Sequence, residues 1–182
     1  MDLSRRSLAW PPRGIEAQRR AALVRGLRLA FARRVSTPTD ALSALRRIPL
    51  LASLPNAELE RLASRAKQVQ HEAGDELVKE GTSGASAYFI AEGTCEVRRK
   101  RGGANRRVAT LGPGDFFGEL AIVDPSPRTA SVIATDALSA FVLEGYDFLS
   151  ALKANKGMAL HLVKVLASRL RAQEDEFAAY RP

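Results

Sequence analysis

The chain has 182 residues, 46% hydrophobic and 26% charged, enough to bury one substantial core with an appendage. No apolar run approaches the ~20 residues of a membrane span, no apolar stretch precedes Trp10-Pro11-Pro12 as a secretory leader would require, and the single cysteine, Cys95, excludes an internal disulfide and predicts a reducing, cytoplasmic setting. The net charge of +8 is local: residues 1–34 carry nine arginines against Asp2 and Glu16, whereas residues 35–182 carry nineteen basic and eighteen acidic side chains, so a nucleic-acid argument applies only to the N-terminal arm.

That arm, residues 1–39, contains the stretch IEAQRRAALVRGLRLAFARRV at 15–35, where Leu23, Leu27 and Phe31 recur every four residues beside Val24 and Val35. The spacing predicts an amphipathic helix with arginines on its other faces. Such a helix suits an acidic partner or an anionic membrane surface, and its acid-poor composition also fits an organellar presequence. ARRVST at Ala32–Thr37 resembles a basic-directed phosphorylation site at Ser36, although a helix end followed by capping hydroxyls has the same pattern.

STPTD interrupts the helical period, and Thr39 or Asp40 is expected to cap a second short helix through Arg47. A turn and a third helix follow in IPLLASLPNAELERLASRA, with Asn56 as the expected N-cap and Leu59 and Leu62 facing inward. From Lys67 the period shortens. QVQ, ELVKE, AYFIAEG, TCEVRRK and RVATLG are short apolar or alternating runs bounded by glycine or charged turns, and ASVIATDALSAFVLEG resumes the pattern. VRRKRGGANRR is expected to be a solvated basic hairpin tip. Helical spacing returns in YDFLSALKAN and in a longer helix from Lys156 to Phe177. On the latter, Ala159, Val163, Leu166, Leu170, Gln173 and Phe177 form a seam too short for a confident coiled coil; it serves packing on the domain's own strands or a homodimer contact. The fold class is therefore α+β, an antiparallel double-sheet, jelly-roll-like β-roll over about 67–144 flanked by N- and C-terminal helices, the latter at 146–178. Its domain spans 40–178.

One segment between strands carries chemistry: FFGELAIVDPSPRTASV at Phe116–Val132. Read as the start of a short helix, Gly118-Glu119-Leu120-Ala121 offers free backbone N–H groups that favour an anion. Glu119 would repel an anion but accepts from an adjacent hydroxyl. Ten residues after Gly118, beyond two prolines that force a turn, Arg128 returns a planar cationic fork suited to phosphate. One phosphate with a neighbouring hydroxyl describes a ribose cyclic phosphate. A surface Glu–Arg pair is the plainer alternative, worth about 0–1 kcal/mol. His71 and His161, far apart and with one cysteine, give no recognisable zinc or Ser-His-Asp constellation, so the chain is expected to bind and not to catalyse.

The string Gly118-Glu119-Leu120-Ala121 with Arg128-Thr129-Ala130 resembles the phosphate-binding cassette of the cyclic nucleotide-binding domain family, without departure. That family includes kinase regulatory subunits, channel C-termini and the catabolite activator protein. LVKEGTSGASAYFIAEG at Leu77–Gly93 resembles its strand-loop signature, with Ala87 where a larger apolar residue is commoner, and RRIPLLASLP resembles its lead-in. The resemblance covers about residues 40–178. It implies that Glu119 accepts from the ribose 2′-hydroxyl, that Arg128 pairs with the equatorial phosphate oxygen, and that amides around Leu120, Ala121 and Ala130 complete the cradle. Ala109 and Leu111 would line the base pocket. Arg169, forty-one residues after Arg128, stands where channel-type members place an arginine over the base; a solvated helix face is the alternative. Thr129 matches the kinase choice favouring cGMP, yet many bacterial and channel members with this threonine take cAMP, and cAMP is the expected ligand ahead of cGMP.

The expected function is a stand-alone cyclic-nucleotide sensor that reports through its terminal helices to a downstream protein partner. The alternatives are a scaffold with a vestigial pocket, or a fragment of a transcription regulator of the catabolite-activator type or of a channel. Few residues follow Phe177, so a DNA-binding domain is not expected within this chain.

Overall fold

The computed structural model describes residues 38–178, with side chains from 41 to 174. The arm helix at 15–35, Ser36 and the side chain of Phe177 lie outside the described residues.

Helix α1 (Pro38–Leu45) leads through a 3-10 turn at Pro49–Leu51 into α2 (Asn56–Arg65). The N-cap of α2 is Pro55, one residue before the expected Asn56, and no side chain caps it. Asn56 already has helical backbone, and its amide oxygen instead accepts from Arg46 at 3.4 Å. Leu59 and Leu62 are buried as the spacing requires.

Eight strands follow: β1 (Lys67–His71), β2 (Glu76–Val78), β3 (Ser86–Glu92), β4 (Cys95–Arg101), β5 (Ala104–Leu111), β6 (Phe116–Phe117), β7 (Ser131–Ala134) and β8 (Leu138–Glu144). They form two four-stranded antiparallel sheets, ordered β1-β8-β3-β6 and β2-β7-β4-β5. This is the β-roll with flanking helices that the run lengths predicted. The strand β6 was not anticipated: at two residues it is too short to show a period, and only its pairing with Tyr88 and Phe89 defines it. Gly102 and Gly103 join β4 to β5 with φ of 57° and 79°, the two positive values that a tight primed hairpin turn needs.

Alternation divides the core into two. On β3, Ala87 and Phe89 face the helices while Tyr88 and Ile90 face the roll interior. Phe116 and Phe117 split the same way, and Phe117 stacks on Tyr88 with ring centroids 4.7 Å apart. One cluster joins α1, the 3-10 turn and α2 to the outer face of the first sheet, and is closed by Phe148 of α4 (Gly145–Ala154) and by Met158 and Leu162 of α5 (Lys156–Ala178). The second, with Val78, Ile90, Cys95, Leu111, Val132 and Leu138, fills the roll. The four-residue helix α3 (Leu120–Val123) bridges β6 and β7 and sends Ile122 into the first cluster.

The expected seam positions on α5 are not all buried by this domain. Along one stripe of the helix, Leu166 packs on the first cluster and Gln173 lines a cleft, while Val163 and Leu170 at its edge remain exposed.

Candidate functional site

A cleft of about 280 Å³ opens between β4, β5, the β6–α3–β7 segment and α5. Its lining includes every residue singled out from sequence: Ala109, Leu111, Gly118, Glu119, Leu120, Ala121, Arg128, Thr129, Ala130 and Arg169. The first two come from β5 and Arg169 from α5, so the fold unites three separate stretches of chain.

Gly118 is where β6 turns into α3. Its φ is +88°, and a Cβ there would lie 2.5 Å from the Ser86 carbonyl oxygen and 2.7 Å from Arg128 Nη1. Both the torsion and the space require glycine. The guanidinium of Arg128 sits against this bare backbone. Its Nη1 donates to Gly118 O at 2.8 Å, and its Nη2 donates to Ser86 O at 3.0 Å and Ser86 Oγ at 3.3 Å. The β2–β3 loop supports it from behind: Arg128 N donates to Thr82 O and Gly81 N donates to Arg128 O, each at 2.8 Å. Gly84 makes room, since a Cβ there would approach Arg128 Nε to 2.8 Å. Every acceptor named is neutral. The guanidinium is therefore oriented without its charge being cancelled, which leaves it able to bind an anion.

Glu119 is the N-cap of α3 and is 2% exposed. Its partner is not Arg128, nine residues on, but Arg169, whose Nη1 donates to Glu119 Oε1 at 2.8 Å. Arg169 Nη2 also donates to Phe116 O at 2.6 Å, and its guanidinium lies 5.0 Å from the centre of the Phe116 ring. Burial pushes the Glu119 carboxyl above its ordinary value, while Arg169 and then Arg128 pull it down. A carboxylate has about four acceptor positions, so Glu119 keeps capacity for a hydroxyl donor while Arg169 occupies one oxygen. The solvated-face alternative for Arg169 does not hold: the side chain is engaged at both ends of its fork and is 33% exposed.

In α3 the first intrahelical donors are Ile122 and Val123, both to Glu119 O, so the N–H groups of Leu120 and Ala121 precede the helix's own ladder. Val78, Val97, Val108, Ala109, Leu111 and Val132 give the same cleft an apolar wall. The site thus combines a cation able to take an anion, a carboxylate able to accept from a hydroxyl, and apolar surface.

Sequence reasoning missed Ser86 and Gly84, which hold and admit Arg128, and Phe116, which binds Arg169 through its carbonyl. Backbone acceptors and the space beside a glycine have no residue-type signature. It also missed Arg99, assigned to a solvated hairpin; strand alternation from the buried Cys95 through Val97 was the available signal, and it places Arg99 on the cleft side. The remainder of that hairpin is partly ordered by Glu96, which pairs with Arg98 at 2.7 Å and Arg107 at 3.3 Å.

The profile of the "Cyclic nucleotide-binding domain" family matches residues 68–155. The cAMP-dependent protein kinase type II regulatory subunit of Drosophila melanogaster is 40% identical over 91 residues, covering 50% of this chain and 24% of that protein. The chain thus spans about a quarter of that relative's length. Among solved structures, the N-terminal domain of a transcriptional regulator from Streptomyces coelicolor A3(2) is 32% identical with a TM-score of 0.56, covering 74% of this chain and 94% of that one. The regulatory domain of Toxoplasma gondii PKA, co-crystallised with cAMP, shares the fold at 24% identity, with a TM-score of 0.65 over 71% of this chain and 50% of that one. The matched window runs from β1 to the end of α4 and contains the roll, Gly118–Glu119 and Arg128–Ala130, and on these grounds residues 68–155 are a domain of the cyclic nucleotide-binding family.

Proposed function

We propose that this domain is a cyclic-nucleotide sensor, with cAMP its first ligand. The supporting observation is that Arg128, held by neutral acceptors, lines the same cleft as the buried carboxylate of Glu119 and an apolar wall. In this reading Arg128 takes the equatorial phosphate oxygen, and the N–H groups of Leu120, Ala121 and Ala130 surround the phosphate. Glu119 accepts from the ribose 2′-hydroxyl with the oxygen that Arg169 leaves free. Ala109 and Leu111 meet the base, Thr129 faces its edge, and Arg169 covers it from α5. The name of the Drosophila relative favours cAMP. Because α5 contributes Arg169 to the cleft, ligand and helix position are coupled. A ligand that binds one placement of α5 more tightly shifts the population toward it, and a protein partner would sense that shift.

Isothermal titration with cAMP tests the reading: saturable one-to-one binding is expected, and no binding at millimolar ligand overturns it. Arg128→Ala removes a charge-assisted contact worth roughly 1.5–3 kcal/mol, a loss of about tenfold to a hundredfold in affinity. Unchanged affinity in a variant whose circular dichroism is native would displace Arg128 from the site.

A further inference from the structure

We propose that Arg99 is a base-reading residue that adds affinity for guanine, so that the pocket takes cGMP as well as cAMP. This inference rests on the nucleotide-binding reading above. On β4 the inward positions are Cys95, then Val97, then Arg99, stepping outward from the roll interior to the cleft. Arg99 lines the cleft beside Val97, Val108 and Ala109, the wall assigned to the base.

The other charged groups of the cleft are all engaged. Arg128 bonds Gly118 and Ser86, while Glu119 and Arg169 bond each other. The side chain of Arg99 makes no hydrogen bond or ion pair among the described residues, although its backbone is paired in the β4–β5 ladder. The one carboxylate on its own strand, Glu96, is already held by Arg98 and Arg107. A half-buried guanidinium against an apolar wall loses hydration without a replacement partner. Its aliphatic stem packs on the valines and its planar fork is left with donors only.

Guanine presents O6 and N7 side by side, two acceptors matched to that fork, whereas adenine sets an N6 donor next to N7. An arginine at the base wall therefore discriminates for guanine. Its positive charge alone would favour both nucleotides equally through their shared phosphate, and the experiment separates the two effects.

Affinities of cAMP, cGMP and 7-deaza-cGMP are measured by titration calorimetry for the wild-type chain, Arg99→Val and Arg99→Lys, with circular dichroism as the fold check. In Arg99→Val the cGMP affinity is expected to fall about tenfold more than the cAMP affinity. Arg99→Lys, which keeps the charge but not the fork, should recover only part of that ratio. Loss of N7 should weaken cGMP in the wild type and have little effect in Arg99→Val. An equal loss for both nucleotides reduces Arg99 to a general attraction for the phosphate and overturns the proposal, as does an unchanged ratio. A wild-type chain that binds cAMP but not cGMP overturns it while leaving the cyclic-nucleotide reading intact. A chain that binds neither removes that reading, and this inference with it.

Discussion

Replacing Arg169 with alanine strips Glu119, only 2% exposed, of its ion-pair partner. Breaking a fully buried pair by deleting one member costs about 3–5 kcal/mol. Arg169 itself is one-third exposed, so water and counter-ions already screen part of the attraction, and the expected loss is nearer 2 kcal/mol. The cost should depend on pH, and its sign follows from the carboxyl. The folded state holds Glu119 above its ordinary value of 4.5, chiefly by burial. Between the unfolded and folded values the native state binds the extra proton, so stability falls as pH rises through that window and levels off above the folded value. Arg169 opposes the upward shift, and without it the folded value climbs further and the window widens. The variant should therefore lose about 2 kcal/mol near pH 8 and less near pH 5, closer to the carboxyl's ordinary value, where pairing with a charged partner matters less. Urea denaturation followed by far-UV circular dichroism reads both values, and Glu119→Gln completes a double-mutant cycle. A loss equal at both pH values, or a coupling energy near zero, would refute the pairing as an energetic feature.

Gly118→Ala places a methyl group 2.5 Å from the Ser86 carbonyl oxygen at a φ of +88°. It should cost at least about 2 kcal/mol in a urea melt and displace Arg128, weakening nucleotide affinity as well; a neutral substitution would mean the turn is not as described. Cys95 is fully buried, and burial, aided by Asp115 and Asp136, pushes its thiol up to about 12. In a time course with an aromatic disulfide reagent the native chain should react only as fast as it opens, and become fully reactive in urea. Rapid stoichiometric labelling of the native chain would contradict its burial.

What sequence could show depended on how local the cause was. The strand runs, the Gly118–Glu119 turn and the return of Arg128 are set within a few residues, and all were legible. The partner of Glu119 was not, because it lies fifty residues away on α5 and pairing at that distance has no period. Asn56 shows the converse error: a good capping side chain gave way to Pro55, which begins the helix with its backbone alone. Arg99 was misjudged because the glycines of its hairpin suggest solvent, whereas the alternation starting at Cys95 decides which way each side chain faces.

The division of the core has a consequence for any shortened form of this protein. The window 68–155 recognised as the family domain contains the whole roll, yet it omits Leu45, Ile48, Leu50, Leu51, Leu59, Leu62, Met158 and Leu162. Those side chains, drawn from both ends of the described chain, cover the outer face of the first sheet over Ala87, Phe89, Phe141 and Leu143. A fragment cut at the window's limits would keep Gly118–Ala130 of the cleft but expose that apolar underside to water. Such a fragment would associate with itself before it could be assayed. The helices that frame the roll are thus also the apolar cover that keeps it dispersed in water.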